Sequence, residues 1–176
     1  MWVLDLPMQK YRGFIQGFHG GLYKDYDYEL PEACLSRQTV MQFYYIQTIT
    51  SSFDFSRTID MMGLLYNIYY NVDMECTIDA MLYDLSCFCF DHDCRGEQLL
   101  QNELKKVFQV TGALNALAAI YYDEEPTEDM HNDWFDFYNE VGLNVGKMFR
   151  WTLAFDPKEI DGKYHKEWRN KEDRED

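Results

Sequence analysis

The chain has 176 residues, 47% of them hydrophobic and 17% aromatic, with a formal net charge of −15. That length suits one domain burying roughly 70% of the surface its unfolded chain would expose, and no run approaches the ~18 apolar residues of a membrane span. Two stretches without Lys or Arg, between Arg57 and Arg95 and between Lys106 and Lys147, carry acids that together equal the whole net charge; such a surface repels phosphate backbones and anionic lipid, which argues against nucleic-acid binding.

The opening M-W-V-L-D-L-P-M-Q-K lacks the basic start and long apolar core of a secretory signal. The expectation is a protein that is not exported or a chain that begins after processing. From Met8 to about Lys24 the spacing predicts a helix: Tyr11, Phe14, Ile15, Phe18 and Leu22 form its apolar stripe. Beside them Gly13, Gly17 and Gly21 recur every four residues. Each interior glycine costs roughly 0.8–1 kcal/mol against Ala, so this ridge calls for close approach of another backbone.

Asp25 to Pro31 is expected to be an acidic, tyrosine-rich loop, with Pro31 opening a second helix that runs to about Thr50. Ser56 suits the N-cap of a third helix. Ile59, Met62, Leu65, Tyr66 and Tyr69 share one of its faces, and Met61, Leu64 and Ile68 lie opposite. A helix apolar nearly all round is normally buried on several sides, so the third helix is expected to be the central rod. Asp73 to Thr77 reads as a turn or helix junction, and Ile78, Met81, Leu82 and Leu85 give a short helix ending near Cys87.

Cys87 to Gly96 is expected to be irregular and compact. Glu97 to Tyr122 follows as one long helix with Leu100, Leu104, Val107, Phe108, Leu114, Ala118 and Tyr121 on its stripe. Asp123 to Pro126 ends that helix and Thr127 caps the last one, where Trp134, Tyr138, Val141, Val145, Met148 and Thr152 repeat. Gly142 and Gly146 form a second small-residue ridge, expected to meet Gly13, Gly17 and Gly21. The chain thus divides into a helical bundle over 1–157 and a tail of mixed charge over 158–176. The fold class is all-α, a single bundle of five or six helices with close glycine-mediated packing.

Cys87, Cys89, His92 and Cys94 are the most chemical-looking cluster. Thiolates and an imidazole match zinc ligand types, but no second C-x2-C or H-x3-H pair completes a tetrahedral site, unless Cys34 or Cys76 reaches in. The competing readings are reduced structural thiols and disulfides, such as Cys89–Cys94 and Cys34–Cys76, which sequence cannot assign and which leave one cysteine over. The acidic stretch from Asp123 to Asp133 lacks the glycine and ligand spacing of a calcium loop and is better explained as a helix boundary. His19, His92, His131 and His165 fall in no catalytic or nucleotide-binding motif. No enzyme activity, metal or cofactor is therefore expected.

Two motifs, F-I-Q-G-F-H-G-G-L and W-F-D-F-Y-N-E-V-G-L-N-V-G-K, together with scattered cysteines, resemble a family of small, all-helical proteins abundant in ciliates, many made with a secretion signal. Phe14, Gly17, Phe18, Gly21, Leu22, Trp134, Tyr138, Gly142 and Gly146 carry the resemblance; the C-F-C-F-D-H-D-C stretch and the charged tail depart from it. It implies a helical fold and export, and no reaction.

The functional expectation is a structural or interaction protein, a subunit of a homo-oligomeric or filamentous extracellular assembly. Its aromatic side chains, at ~150–250 Å² each, exceed what one small core can cover. Surplus tyrosines at Tyr23–Tyr28, Tyr44–Tyr45, Tyr69–Tyr70 and Tyr121–Tyr122 are the candidate contacts. Lys163, Lys166, Arg169, Lys171 and Arg174 of the tail are expected to dock on a neighbour's Asp123–Asp129 region, an attraction that salt would screen. The alternative is a carrier of a small apolar ligand, in a pocket lined by Met62, Tyr66 and Phe108.

Overall fold

The computed structural model describes residues 5–52, 58–123 and 133–160. Among them the architecture is all-α and contains no strand. Eight α-helices follow in order: α1 Asp5–Tyr23, α2 Arg37–Ser52, α3 Thr58–Tyr70, α4 Ile78–Asp91, α5 Gly96–Lys105, α6 Val107–Asp123, α7 Asp133–Leu153 and α8 Pro157–Ile160. A π-helical turn, Asn71–Glu75, joins α3 to α4. The helical class is as expected, but a bundle of five or six helices is too simple.

The organising pair is α1 with α7, by far the most extensively packed. Their glycine ridges mesh. A Cβ placed on Gly17 would lie 2.7 Å from the Leu143 backbone nitrogen and still closer to the Asn139 carbonyl oxygen. Gly13 meets Phe135 and Asn139, Gly21 meets Leu143 and Lys147, while Gly142 faces Phe14 and Phe18, and Gly146 faces Phe18 and Leu22. Both numberings rise together, so the two helices run parallel. Backbones this close exclude any side chain between them, and small residues at four-residue spacing are the sequence device that allows it.

The ends of this pair are fixed by capping. Ala154, at φ 55°, ends α7 in the left-handed region. The N–H groups of Ala154 and Phe155 donate to the carbonyls of Trp151 and Arg150 at 3.2 and 2.9 Å, which closes a Schellman turn. The turn delivers Phe155 onto Leu22 and Phe88. Buried Arg150 donates to the Gly21 carbonyl at 2.6 Å, placing a cation at the negative end of α1.

Three small apolar clusters flank the pair instead of one large core. Met8, Leu30, Cys34, Leu35, Val40 and Cys76 form the first, Leu22, Phe88 and Phe155 the second, and Ile120, Trp134, Phe137 and Val141 the third. α3 belongs to none of them. It folds back antiparallel along α2, with Asn71 near Thr39 and Met61 near Thr50, and of its side chains only Ile68 is buried among the described residues. The expected central rod is therefore a peripheral helix. The pair α1–α7 took the centre because its glycines allow an interface that bulky α3 cannot make.

Other boundaries moved for local reasons. Pro31 opens a turn and not α2, which begins at Arg37. The stretch expected to be irregular after Cys87 is still helix as far as Asp91, held by the burial of Phe88. The long helix from Glu97 kinks at Lys106, whose N–H is shared between the carbonyls of Asn102 and Glu103 at 3.1 Å each. The ladder tightens there without a Pro or Gly to mark it. α8 spans the expected boundary at 157/158. Ser56, Thr127 and the tail beyond residue 160 lie outside the described residues.

Candidate functional site

Disulfides settle the cysteine cluster. Cys34 is joined to Cys76 and Cys89 to Cys94, while Cys87 is free. Oxidised Cys89 and Cys94 have no thiolate to offer, so the candidate metal set of Cys87, Cys89, His92 and Cys94 is not a ligand set. No cluster of three ligating side chains occurs among the described residues. His92 instead stacks on Phe88 at 4.1 Å between ring centroids, and its Nε2 lies 3.3 Å from the Glu159 carboxylate. Arg95 hydrogen-bonds Asp93 and holds that carboxyl down at about 2.

Beside the Cys34–Cys76 bridge the backbone is unusual. The residues that follow the two cysteines, Leu35 and Thr77, have φ of 50° and 58°, a region that costs a branched L-residue roughly 1–2 kcal/mol. Asn71 holds this corner. Its Oδ1 accepts from the Leu35 N–H at 3.1 Å and the Thr39 hydroxyl at 2.9 Å, and its Nδ2 donates to the Ala33 carbonyl at 3.0 Å. Sequence periodicity gave no sign of this residue, because a polar side chain that closes a turn leaves no apolar repeat.

A second buried polar group ties α1 to α4. The Tyr23 hydroxyl donates to the Asp84 carboxylate at 2.7 Å, and burial, reinforced by that bond, pushes the phenol well above its usual range. The His19 ring stacks on Tyr28 at 3.6 Å and meets the tilted Tyr23 ring at 4.6 Å between centroids. Sequence reading placed none of these together.

The feature with the greatest functional content is the outer face of α3. Ile59, Met62, Tyr66 and Tyr69 follow helical spacing on one side and are 85%, 63%, 66% and 65% exposed. At the end of this face Asp73 lies against Tyr69 and raises its hydroxyl by charge and hydrogen bonding. Met41, Tyr44 and Tyr45 on α2 and Tyr70 on α3 are exposed as well. The stripe read on the Glu97–Tyr122 segment is likewise outward. Phe108 is 88% exposed, while the inward side of α5 and α6 carries Asn102, Ala113 and Ile120. On α3 only the face of Met61, Leu64 and Ile68 is turned inward, and on α5 and α6 the apolar stripe lies outside because the inner side mixes Asn102 and Ala113 with Ile120.

Met62, Tyr66 and Phe108 therefore do not enclose a pocket. Two of the open grooves among the described residues lie elsewhere. One, of about 690 Å³, is bounded by α1, the turn before α2 and the start of α7, with Met8, Leu35, Val40 and Phe135 as its apolar wall and Arg12, Glu32 and Arg37 at its rim. The other, of about 440 Å³, is lined by Leu6, Pro7, Lys10, Tyr11, Phe14 and Tyr138. Among the described residues no helix is long and apolar enough to cross a membrane. Comparison with protein-family models, curated proteins and solved structures finds no match to this chain.

Proposed function

We propose that the protein is a non-enzymatic structural subunit that associates with copies of itself, outside the reducing cytosol. The observation that supports it best is the outer face of α3, four large apolar side chains in register and mostly exposed. Contiguous exposed apolar surface of this kind marks interaction sites in soluble proteins, and tyrosine and methionine are enriched in interface cores. Burying those four side chains is worth roughly 6–12 kcal/mol at ~1.5–3 kcal/mol each, comparable with the ~4–15 kcal/mol that association costs. The face is thus the main part of a contact and needs a complementary surface to make it stable.

The two disulfides support the compartment, since such bridges persist in oxidising surroundings. The resemblance to exported helical proteins points the same way. Neither the basic tail from Lys163 nor the acids from Glu124 to Asp129 lie within the described residues, so the contact expected between them adds no support. Light scattering on the full chain at tens of micromolar tests the reading: the expected mass is a multiple of the 21.1 kDa protomer, reduced to one protomer by Tyr66→Glu. A wild-type chain that stays monomeric ends it.

A further inference from the structure

We infer that the groove where α1 and α7 begin binds a medium-chain fatty carboxylate, with its head on Lys10 and its chain along the apolar wall. The site is separate from the α3 face and does not depend on self-association. Gly13 meets Phe135, so about one turn earlier on each of these parallel helices Lys10 stands beside Trp134. Its Nζ lies 3.6 Å from the centroid of the Trp134 ring and 5.5 Å from that of Tyr138. The ring quadrupoles hold an ammonium placed this way, but they give its N–H groups no acceptor. Among the described residues Lys10 has no carboxylate within ion-pair distance. Trp134 is buried beneath it, with a side-chain Nε1 that has no hydrogen-bond partner. This corner thus offers donors and lacks acceptors, and a carboxylate on Lys10 supplies them through charge-assisted bonds.

The rest of the groove suits a hydrocarbon chain. It has a volume of about 440 Å³ and is lined by Leu6, Pro7 and Phe14 with the rings of Tyr11 and Tyr138. Apolar and aromatic walls with one or two placed polar groups are the usual make-up of a small-molecule site of this size. A sugar or nucleotide would leave that wall unused, and an amine would oppose Lys10. The nearby acids of α7 are exposed. At helical spacing Asp136 and Glu140 fall on the far side of α7 from the Trp134–Tyr138 stripe, and Asp133 falls to one flank. The net charge of −15 disfavours any anion at long range, an effect that salt screens. The contact at Lys10 and the burial of the chain must therefore carry the affinity.

Titration calorimetry of the full chain with decanoate, kept below its micellar concentration, tests this against decanol, which has the same chain without the charge. The wild type should bind decanoate more tightly than decanol by about tenfold or more. Lys10→Met keeps the stem over Trp134 and should bind the two alike, while Lys10→Arg should restore the margin. Circular dichroism shows that each variant keeps its helices. Tyr66→Glu, which alters only the α3 face, should bind decanoate like the wild type whatever its mass in solution, so the ligand site and the self-association reading stand or fall separately. A wild type that does not take up decanoate, or that binds it no better than decanol, overturns the inference. So does a Lys10→Met chain that keeps the wild-type margin, because Lys10 would then not hold the head.

Discussion

Gly17 shows how one absent methyl group positions two helices. Its missing Cβ leaves room for the backbone of α7 between Asn139 and Leu143, and backbone cannot turn aside as a side chain can. Gly17→Ala therefore forces α1 and α7 apart, at a cost of about 2–4 kcal/mol given that overpacking typically costs ~1–3 and here meets main chain on both sides. Gly112, in the middle of α6, has nothing within 4 Å of the position a Cβ would take. There Gly112→Ala should stabilise by about 0.8–1 kcal/mol through helix propensity alone. Urea denaturation of both variants measures the contrast, and equal effects would mean the ridge does not set the helix separation.

At the scale of elements, the disulfides divide the work unequally. Cys34 and Cys76 are 42 residues apart and fully buried, while Cys89 and Cys94 are five apart. Loop-closure entropy assigns roughly 4 kcal/mol to the first and about 2 kcal/mol to the second. Cutting the first also lets the left-handed Leu35 and Thr77 relax, which returns part of the loss. Replacing Cys34 and Cys76 by Ser should still lower stability more than replacing Cys89 and Cys94, as read from denaturation midpoints. Alkylation of the native chain should label Cys87 alone, and five labelled thiols would contradict both bridges. The elements also show what sequence could carry. The glycine ridges were legible because small residues at four-residue spacing have few other uses in a helix, and the cysteine pairs were among the readable alternatives. The inner faces of α5 and α6 were not legible, since Asn102 and Ala113 are buried through a hydrogen bond to Thr152 and through close packing, neither of which leaves an apolar pattern. The place of α3 was unreadable for the converse reason, that an apolar helix face looks the same whether it meets its own core or another chain.

For the whole molecule, the charge of −15 acts on assembly before any contact forms. Two such bodies, each with a radius of gyration near 16 Å, would sit with centres roughly 40 Å apart in contact. Their unscreened repulsion in water is then on the order of 20 kcal/mol. A Debye length of ~30 Å at 0.01 M salt leaves about a quarter of that, and ~10 Å at 0.1 M leaves only a few per cent. An exposed ion pair across such a contact contributes about 1 kcal/mol or less. Counting contacts alone, as the sequence invites, gives an assembly that weakens steadily with salt. Adding the net charge reverses the sign at the low end. Association should tighten between 0.01 and 0.1 M NaCl as the long-range repulsion is screened, then weaken modestly towards 1 M as the short-range pairs fade and the apolar contact remains. Light scattering across a salt series tests this, and weakening that begins at 0.01 M would mean that the contacts outweigh the field of the whole chain.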